Sequence, residues 1–555
     1  MSPSPSRRTV LQTIGAGTVL AATGGTLTAC SSSGGSSTGG VGNAGTELTP
    51  WPAYVPFDGP APDLAPNGDG VQAGYLTYPQ NLKQSVAEKP GDGTKVIAWV
   101  ITYGPPAKPL ATNKLWQAVN KALGIDLDLV AVPSSEYQTK LATMTASGEM
   151  PDMLLIGGGK ALPNEAHYVA AKCADLSEHL SGDAIKKYPN LANIPTYAWE
   201  GMGRIKGRVF GVPIERGRPS QGLYVNQEKF KEAGIWVPET GALDTELLTK
   251  GLRQLTGRGR WGLGASQAGA FGFNVHMPNH GAPKEWFVND GAFVNSIETD
   301  EWLAGLEQMT KWHEAGLFRA DALTVDPSAA TLEFQNGTTA SMAEGLGGFR
   351  DRCAAVKDGF TVDIARSYKP ANGKRAYWLG NGFFGYTVLR KAPKDRIELM
   401  LRVLDYLSAP FGSEEWELVN YGVEGTHFTR GSDGGPEPTE LAVEGENSTT
   451  LPLKYLAAGP QVIYNPGMPE ATKRFHAYQQ AELPGGTLNP ANGLRSNTWS
   501  TKGATLQQLQ GDAIAAIVTG RRPLSDWAAV IKEWKAKGGD QAAEEFAKEY
   551  QATKG

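Results

Sequence analysis

The chain has 555 residues, 40% hydrophobic and 20% charged, with a formal net charge of −5. That length exceeds one compact core and implies roughly three to four domain units or two large lobes, while the composition excludes the collagen, coiled-coil and disordered classes. The acidic balance argues against a nucleic-acid partner, and three cysteines rule out a disulfide scaffold.

The first element is Ser6-Arg7-Arg8-Thr9-Val10-Leu11, followed by an uncharged run over 9–29 that closes on Leu27-Thr28-Ala29-Cys30. A positive end, an apolar middle and a small-residue cleavage site are the layout of an export signal. Its start resembles the twin-arginine type, a receptor-read address rather than an anchor. Its end resembles the lipobox of bacterial lipoproteins, which implies that Cys30 becomes a lipid-bearing N-terminus on the outer face of the membrane. A transmembrane helix is the competing reading, but the run is rich in Gly and Thr and poor in Leu and Ile, and so spans poorly. Residues 31–45 are almost all Ser, Gly and Thr, a flexible tether. Pro52, Pro56, Pro60, Pro62, Pro66 and Pro79 then make 51–90 an extended stretch laid over the body.

The folded body begins at Thr94. A near-continuous apolar run over 94–101 predicts a strand buried on both faces. Leu115, Trp116, Val119 and Leu123 repeat at helical spacing and stop at Gly124. Residues 126–132 alternate as a strand, Tyr137, Leu141 and Met144 mark a second helix, and 151–156 enter a third strand. Strand, helix, strand, helix, strand is a parallel α/β unit whose ligands sit beyond the carboxyl ends of its strands, here at Tyr103, Pro133 and Gly157. Residues 209–214 and 223–226 read as strands, with a helix over 227–233 after them. Further helices are expected from Trp302, Leu306, Met309 and Trp312, from Leu399, Val403, Leu404 and Leu407, and from Ile514, Ile517 and Val518.

Phe210-Gly211-Val212-Pro213 followed by Leu223-Tyr224-Val225-Asn226 and Phe230, Ala233, Gly234 resembles the crossover of extracellular solute-binding proteins of family 1, the carbohydrate-binding partners of ABC importers. Gly148 to Asp152, Phe334 to Met342, Tyr421 to Phe428 and the closing 517–539 match the same family, and the resemblance covers nearly all of 94–552. It implies an α/β, two-lobed periplasmic-binding-protein-like fold, each lobe a mostly parallel sheet flanked by helices, joined by a hinge near 212–214 and 382–386. Lobe one would combine 94–212 with 338–384, and lobe two 213–337 with 385–552. With that division Cys173 and Cys353 share lobe one, so a disulfide between them is permitted, although two separate buried thiols are the commoner case. The implied partners are an oligosaccharide, the permease subunits of an ABC transporter and, through the lipid, the membrane; the implied state is a monomer without cofactor or metal.

Signatures of catalysis are weak. Gly157 to Lys160 lacks the spacing of a phosphate loop, and Ala161 replaces its Ser or Thr. His276 and His280 stand four apart, but Pro278 between them is expected to break the helix that metal ligation needs. Gly264 to Ala268 misses the last glycine of a nucleophile elbow, and Glu414 with Glu417 reads as solvated helix acid rather than a glycosidase pair. A carbohydrate-active hydrolase and a binder of peptides or other polar solutes are the alternatives to sugar capture. Sugar capture needs aromatic faces for apolar ring surfaces and planar polar groups for hydroxyls, and 14 Trp, 18 Tyr and 17 Phe supply the faces. The candidates are Tyr103 at a strand end, Glu215 and Arg216 after the crossover, Trp261, Trp286 and Trp378 in Gly- or Asn-flanked loops, Asn381 between glycines, and Tyr421, Glu424 and His427 in the family-like segment. Each has a plainer reading: a core place for the aromatics, an ion pair for Glu215 with Arg216, and turns for Asn381 and for Glu424 with His427.

Overall fold

A five-stranded sheet organises the first core. Its order is Asp126–Pro133, Lys95–Thr102, Met153–Gly157, Phe383–Leu389, Gly211–Glu215. The computed structural model describes residues 40–553 except 161, 163, 267–269, 357–358 and 370–375; the leader with Arg7, Arg8 and Cys30 lies outside the described residues. The first three strands are parallel and are connected by the helices Lys114–Leu123 and Ser134–Ser147. Each element starts and stops for a local reason. The Asn113 side chain accepts from the Trp116 N–H, and Gly124 ends that helix at φ 66°, a left-handed conformation suited to glycine. The Asp152 carboxylate before the third strand accepts from the Ile97 N–H at 3.0 Å and pairs with Arg390 and Arg396 at 2.6 and 3.1 Å. The family's Pro-Asp is therefore a brace for this sheet.

The fourth strand, Phe383–Leu389, enters antiparallel between Met153–Gly157 and Gly211–Glu215. Val212 to Ile214 are thus paired and buried within a ladder, so they do not form the expected hinge; the unpaired residues between the sheets are 216–220 and 379–382. Gly157 sits at φ 131°, and a Cβ there would lie 2.4 Å from the Gly385 Cα. Gly157→Ala should therefore cost on the order of 2 kcal/mol or more, seen as a lower urea midpoint with unchanged m-value.

The second sheet has three strands, Val362–Ile364, Gln221–Asn226 and Ser341–Gly345, and both of its pairings are antiparallel. This corrects the expected mostly parallel sheet in each lobe. A parallel neighbour needs a crossover that returns the chain to the same end, and here the strands arrive from opposite ends. The pairing also corrects the lobe limits. Residues 341–345 and 362–364, expected in lobe one, extend the second sheet, and the chain rejoins the first only at Phe383. Helix Lys394–Leu407, expected in lobe two, buries Leu399, Leu401, Val403 and Leu404 in the first core. Helices Asp300–Glu314 and Asn497–Val518 do build the second core, with Trp302, Trp312, Ile514 and Ile517. The Phe334 side chain and the Asn226 cap on Lys229 explain two more family residues as packing and capping. Cys173 lies in the first core and Cys353 in a third cluster beside the second sheet; both are free and buried.

From Val41 onward the expected tether is docked chain. Trp51 accepts from Gly182, Val55 donates to Ala192, Gly74–Tyr75 pairs in parallel with Ile463–Tyr464, and Ser85 holds the Glu415 carboxylate. Val41 enters the first core and Val71 the third cluster. Asn43 ties further elements together: its side-chain oxygen accepts from the Gly207 N–H at 2.8 Å, while its backbone N–H donates to the Glu549 carboxylate of the final helix, Asp540–Thr553, at 2.9 Å. Proline suits such a strap because an edge-bound, extended chain needs few N–H donors.

Candidate functional site

The turns after two of the parallel strands, at Tyr103 and at Gly158, face the second sheet across a cleft of two joined chambers, whereas the Pro133 turn lines neither. The first holds about 800 Å³ and is lined by Trp302, Trp378, Trp499, Lys284, Asn381 and Phe383 among others. The second holds about 630 Å³ and takes in Tyr103, Tyr455, Lys454 and Arg350. Arg216, Pro219, Gly347, Phe384 and Gln461 line both, so the chambers are continuous. Each falls within the roughly 300–1,000 Å³ of a site for one drug-sized molecule, and together they suit a longer ligand. Strand-end residues Tyr103, Gly158 and Gly159 form one wall, where an open α/β sheet is expected to bind.

Four of the ten candidate residues line this cleft. Tyr103 is 57% exposed and turns its ring to Tyr455 at 5.6 Å; burial of part of the ring raises its hydroxyl to about 12. Arg216 donates from Nη1 to the Glu215 carbonyl at 2.8 Å, with its guanidinium 5.0 Å from the Phe384 ring. Trp378 stacks on Trp302 at 6.3 Å and 11°, its indole N–H donating to the Ala282 carbonyl. The Asn381 side-chain oxygen accepts from Lys284 Nζ at 2.6 Å.

The other six lie elsewhere. Glu215 is 1% exposed, its carboxylate accepting from the Tyr197 hydroxyl and, at 2.9 Å, from the Gln461 N–H. It does not pair with the Arg216 side chain, which takes the Glu215 backbone oxygen instead. Trp261 bridges to Thr339 beside Arg319. Trp286 is 1% exposed within the second core. Tyr421 packs edge-on to Tyr78, Trp416 and Phe428. Glu424 takes Arg430 at 2.9 Å on the surface. His427 is 1% exposed, its Nδ1 accepting from the Val423 N–H at 3.0 Å with Nε2 3.5 Å from Glu446, which closes a turn. The helix Phe273–Asn279 includes Pro278 but stops one residue beyond it, leaving His280 outside as its cap, so one helical face does not carry both histidines. His276 there packs against Trp312, and burial takes it down to about 3, keeping it neutral.

The electrostatics come from burial. Glu215 is pushed up to about 7 by desolvation, against the opposing pull of Tyr197, Gln461 and nearby arginines. Lys284 and Lys454 are both held below the usual ammonium range, first by burial. Sequence reasoning missed Lys284, Arg350, Lys454, Tyr455 and Phe384, and took Trp302 for core alone. The one local signal was Leu451-Pro452-Leu453-Lys454-Tyr455-Leu456, where a single cation interrupts an apolar run.

A family model described as bacterial extracellular solute-binding protein matches residues 114–398, more than half of the chain. The chain belongs to that family. Its members are binding proteins rather than enzymes, and the two-lobed periplasmic-binding-protein-like fold is theirs. This solute-binding protein is 23% identical over 500 residues to the polygalacturonan/rhamnogalacturonan-binding protein YtcQ of Bacillus subtilis, across 87% of this chain and 97% of that one. It is also 23% identical to lipoprotein LipO of the same organism, across 83% and 93%. Among solved structures it superposes on the N-glycan transport solute-binding protein of Streptococcus pneumoniae with a TM-score of 0.57 at 16% identity, covering 83% of this chain and 100% of that one.

Proposed function

We propose that this protein captures an oligosaccharide in the two-chambered cleft and delivers it to the permease of an ABC importer, held at the outer membrane face by a lipid on Cys30. The observation that carries the reading is the cleft itself: aromatic faces (Tyr103, Tyr455, Phe384, Trp499) and planar polar groups (Arg216, Asn381, Gln461) drawn from elements of both cores. Pyranose rings offer apolar faces to aromatics and hydroxyls to amides and guanidinium. The saccharides in the names of YtcQ and the pneumococcal protein support this class of ligand, and LipO's name supports the anchor. A ligand touching both walls stabilises whichever arrangement brings them together, so closure about 216–220 and 379–382 follows from binding.

Titrating the purified protein with an oligosaccharide panel, while following tryptophan fluorescence and assaying for shorter products, tests the proposal. We expect a saturable change without cleavage, weakened about tenfold or more by Tyr455→Ala, a loss typical of removing one stacking ring at a central contact. Release of shorter sugars would support a hydrolase instead, and a response to peptides alone would support a different solute.

A further inference from the structure

The two chambers differ in charge. In the first, the Lys284 ammonium is already engaged, donating to the Leu379 carbonyl at 2.7 Å and to Asn381 at 2.6 Å. In the second, Lys454 has no carboxylate within ion-pair distance among the described residues, and its ammonium stands 5.5 Å from the Tyr455 ring centroid. Arg216 and Arg350 act on it as like charges, opposed by Asp351 alone. Arg216 spends one N–H on a backbone oxygen, while the neighbouring Glu215 carboxylate is turned away to Tyr197 and Gln461. Arg350 is half exposed, and among the described residues its ion pair is with Asp351, at 3.3 Å. The other acid on this wall, Glu344, is already held by two hydrogen bonds from Arg352, at 2.8 and 2.9 Å. An acidic protein thus lines this chamber with three cations and one loosely bound counter-charge, Asp351. Burial makes the charge of Lys454 and Arg216 costly, and a bound anion offsets that cost.

Beside these cations lie packed aromatic rings, Tyr103 edge-on to Tyr455 and Phe384 tilted against it. Tyr455 lies 5.6 Å from Tyr103 and 4.9 Å from Phe384 between ring centroids, and Arg216 sits over Phe384. An aromatic cluster flanked by guanidinium and ammonium groups fits one ligand unit that has both an apolar ring face and a negative charge. Guanidinium presents a planar fork that matches a carboxylate.

Resting on the capture reading and narrowing it, we infer that the second chamber binds a uronate unit of an acidic oligosaccharide, its ring against Tyr455 and Phe384 and its carboxylate among Lys454, Arg216 and Arg350. The remainder of the ligand extends into the first chamber.

The test uses calorimetric titration of the whole folded chain with trimers of galacturonate, glucuronate and mannuronate, each beside its methyl ester, which keeps shape and removes charge. At least one acid should bind about tenfold or more tightly than its ester, with the advantage shrinking as salt rises. Lys454→Met should abolish most of that advantage and Arg350→Gln part of it, while binding of the ester persists in both and shows that the variants are folded. The inference is overturned if acid and ester bind alike, or if only neutral oligosaccharides bind, in which case capture still stands. If no saccharide binds, the capture reading falls with it.

Discussion

Trp286→Ala should destabilise the protein by about 3–5 kcal/mol, the cost of removing a large aromatic from a packed interior, with no direct contribution to ligand contact. The side chain is 1% exposed. Its ring lies 5.4 Å from Phe546, 5.6 Å from Trp499, 5.8 Å from Trp534 and 6.4 Å from Phe293. Those partners come from three separate helices and a hairpin strand, so the tryptophan is where the last sixty or so residues fasten to the second core, and the resulting cavity cannot collapse without moving all of them. Trp286→Phe refills part of the space and should cost about half as much. Urea unfolding measures both, and sugar titration of the phenylalanine variant should give an affinity close to that of the parent protein. A variant with an unchanged midpoint and a lost ligand response would place Trp286 in the cleft after all.

That residue shows where the sequence was readable and where it was not. The first three strands and their helices were legible almost to the residue, because burial on both faces, helical periodicity and a left-handed glycine stop are all local signals. The entry of Phe383–Leu389 between Met153–Gly157 and Gly211–Glu215 was not, since nothing local distinguishes an antiparallel insertion from a parallel one. Helix Lys394–Leu407 was correctly seen as amphipathic and misplaced for the same reason: periodicity names the buried face but not the core that receives it. The candidate site divides likewise. Tyr103 and Arg216 were found because each directly follows a strand end. Trp261, Trp286 and Trp378 looked alike in glycine- and asparagine-flanked loops, and only packing separates the one that lines the cleft from the two that do not. Lys454 and Arg350 reach Arg216 from more than a hundred residues away, so their convergence is a property of the fold alone.

Between about pH 4.5 and about pH 7, Glu215 should make the protein less stable as pH rises, the reverse of the usual carboxylate. Burial lifts this carboxyl to about 7 in the folded chain from its ordinary 4.5. Across that window the folded state holds a proton that the unfolded state has released, so the slope of unfolding free energy with pH is negative. Below 4.5 both states are protonated and the effect vanishes; above 7 it is complete, on the order of 3 kcal/mol. Asp405, buried under helix Pro189–Ala192 and raised to about 7 by desolvation, adds a slope of the same sign. Asp152 and Asp175, held low by arginine and backbone donors, contribute in the opposite sense, so the measurement has to be a difference between variants. Glu215→Gln keeps an acceptor for the Gln461 N–H and lets the Tyr197 hydroxyl rotate to accept from the new amide. Its stability relative to the parent should be near zero or slightly negative at pH 4.5 and should climb by about 3 kcal/mol by pH 8, read from urea midpoints at each pH. A flat difference would mean that the carboxyl titrates normally and is solvated. Glu215 closes strand Gly211–Glu215 and holds the Gln461 N–H at 2.9 Å, so the titrating carboxyl sits directly behind two residues that line both chambers, Arg216 and Gln461.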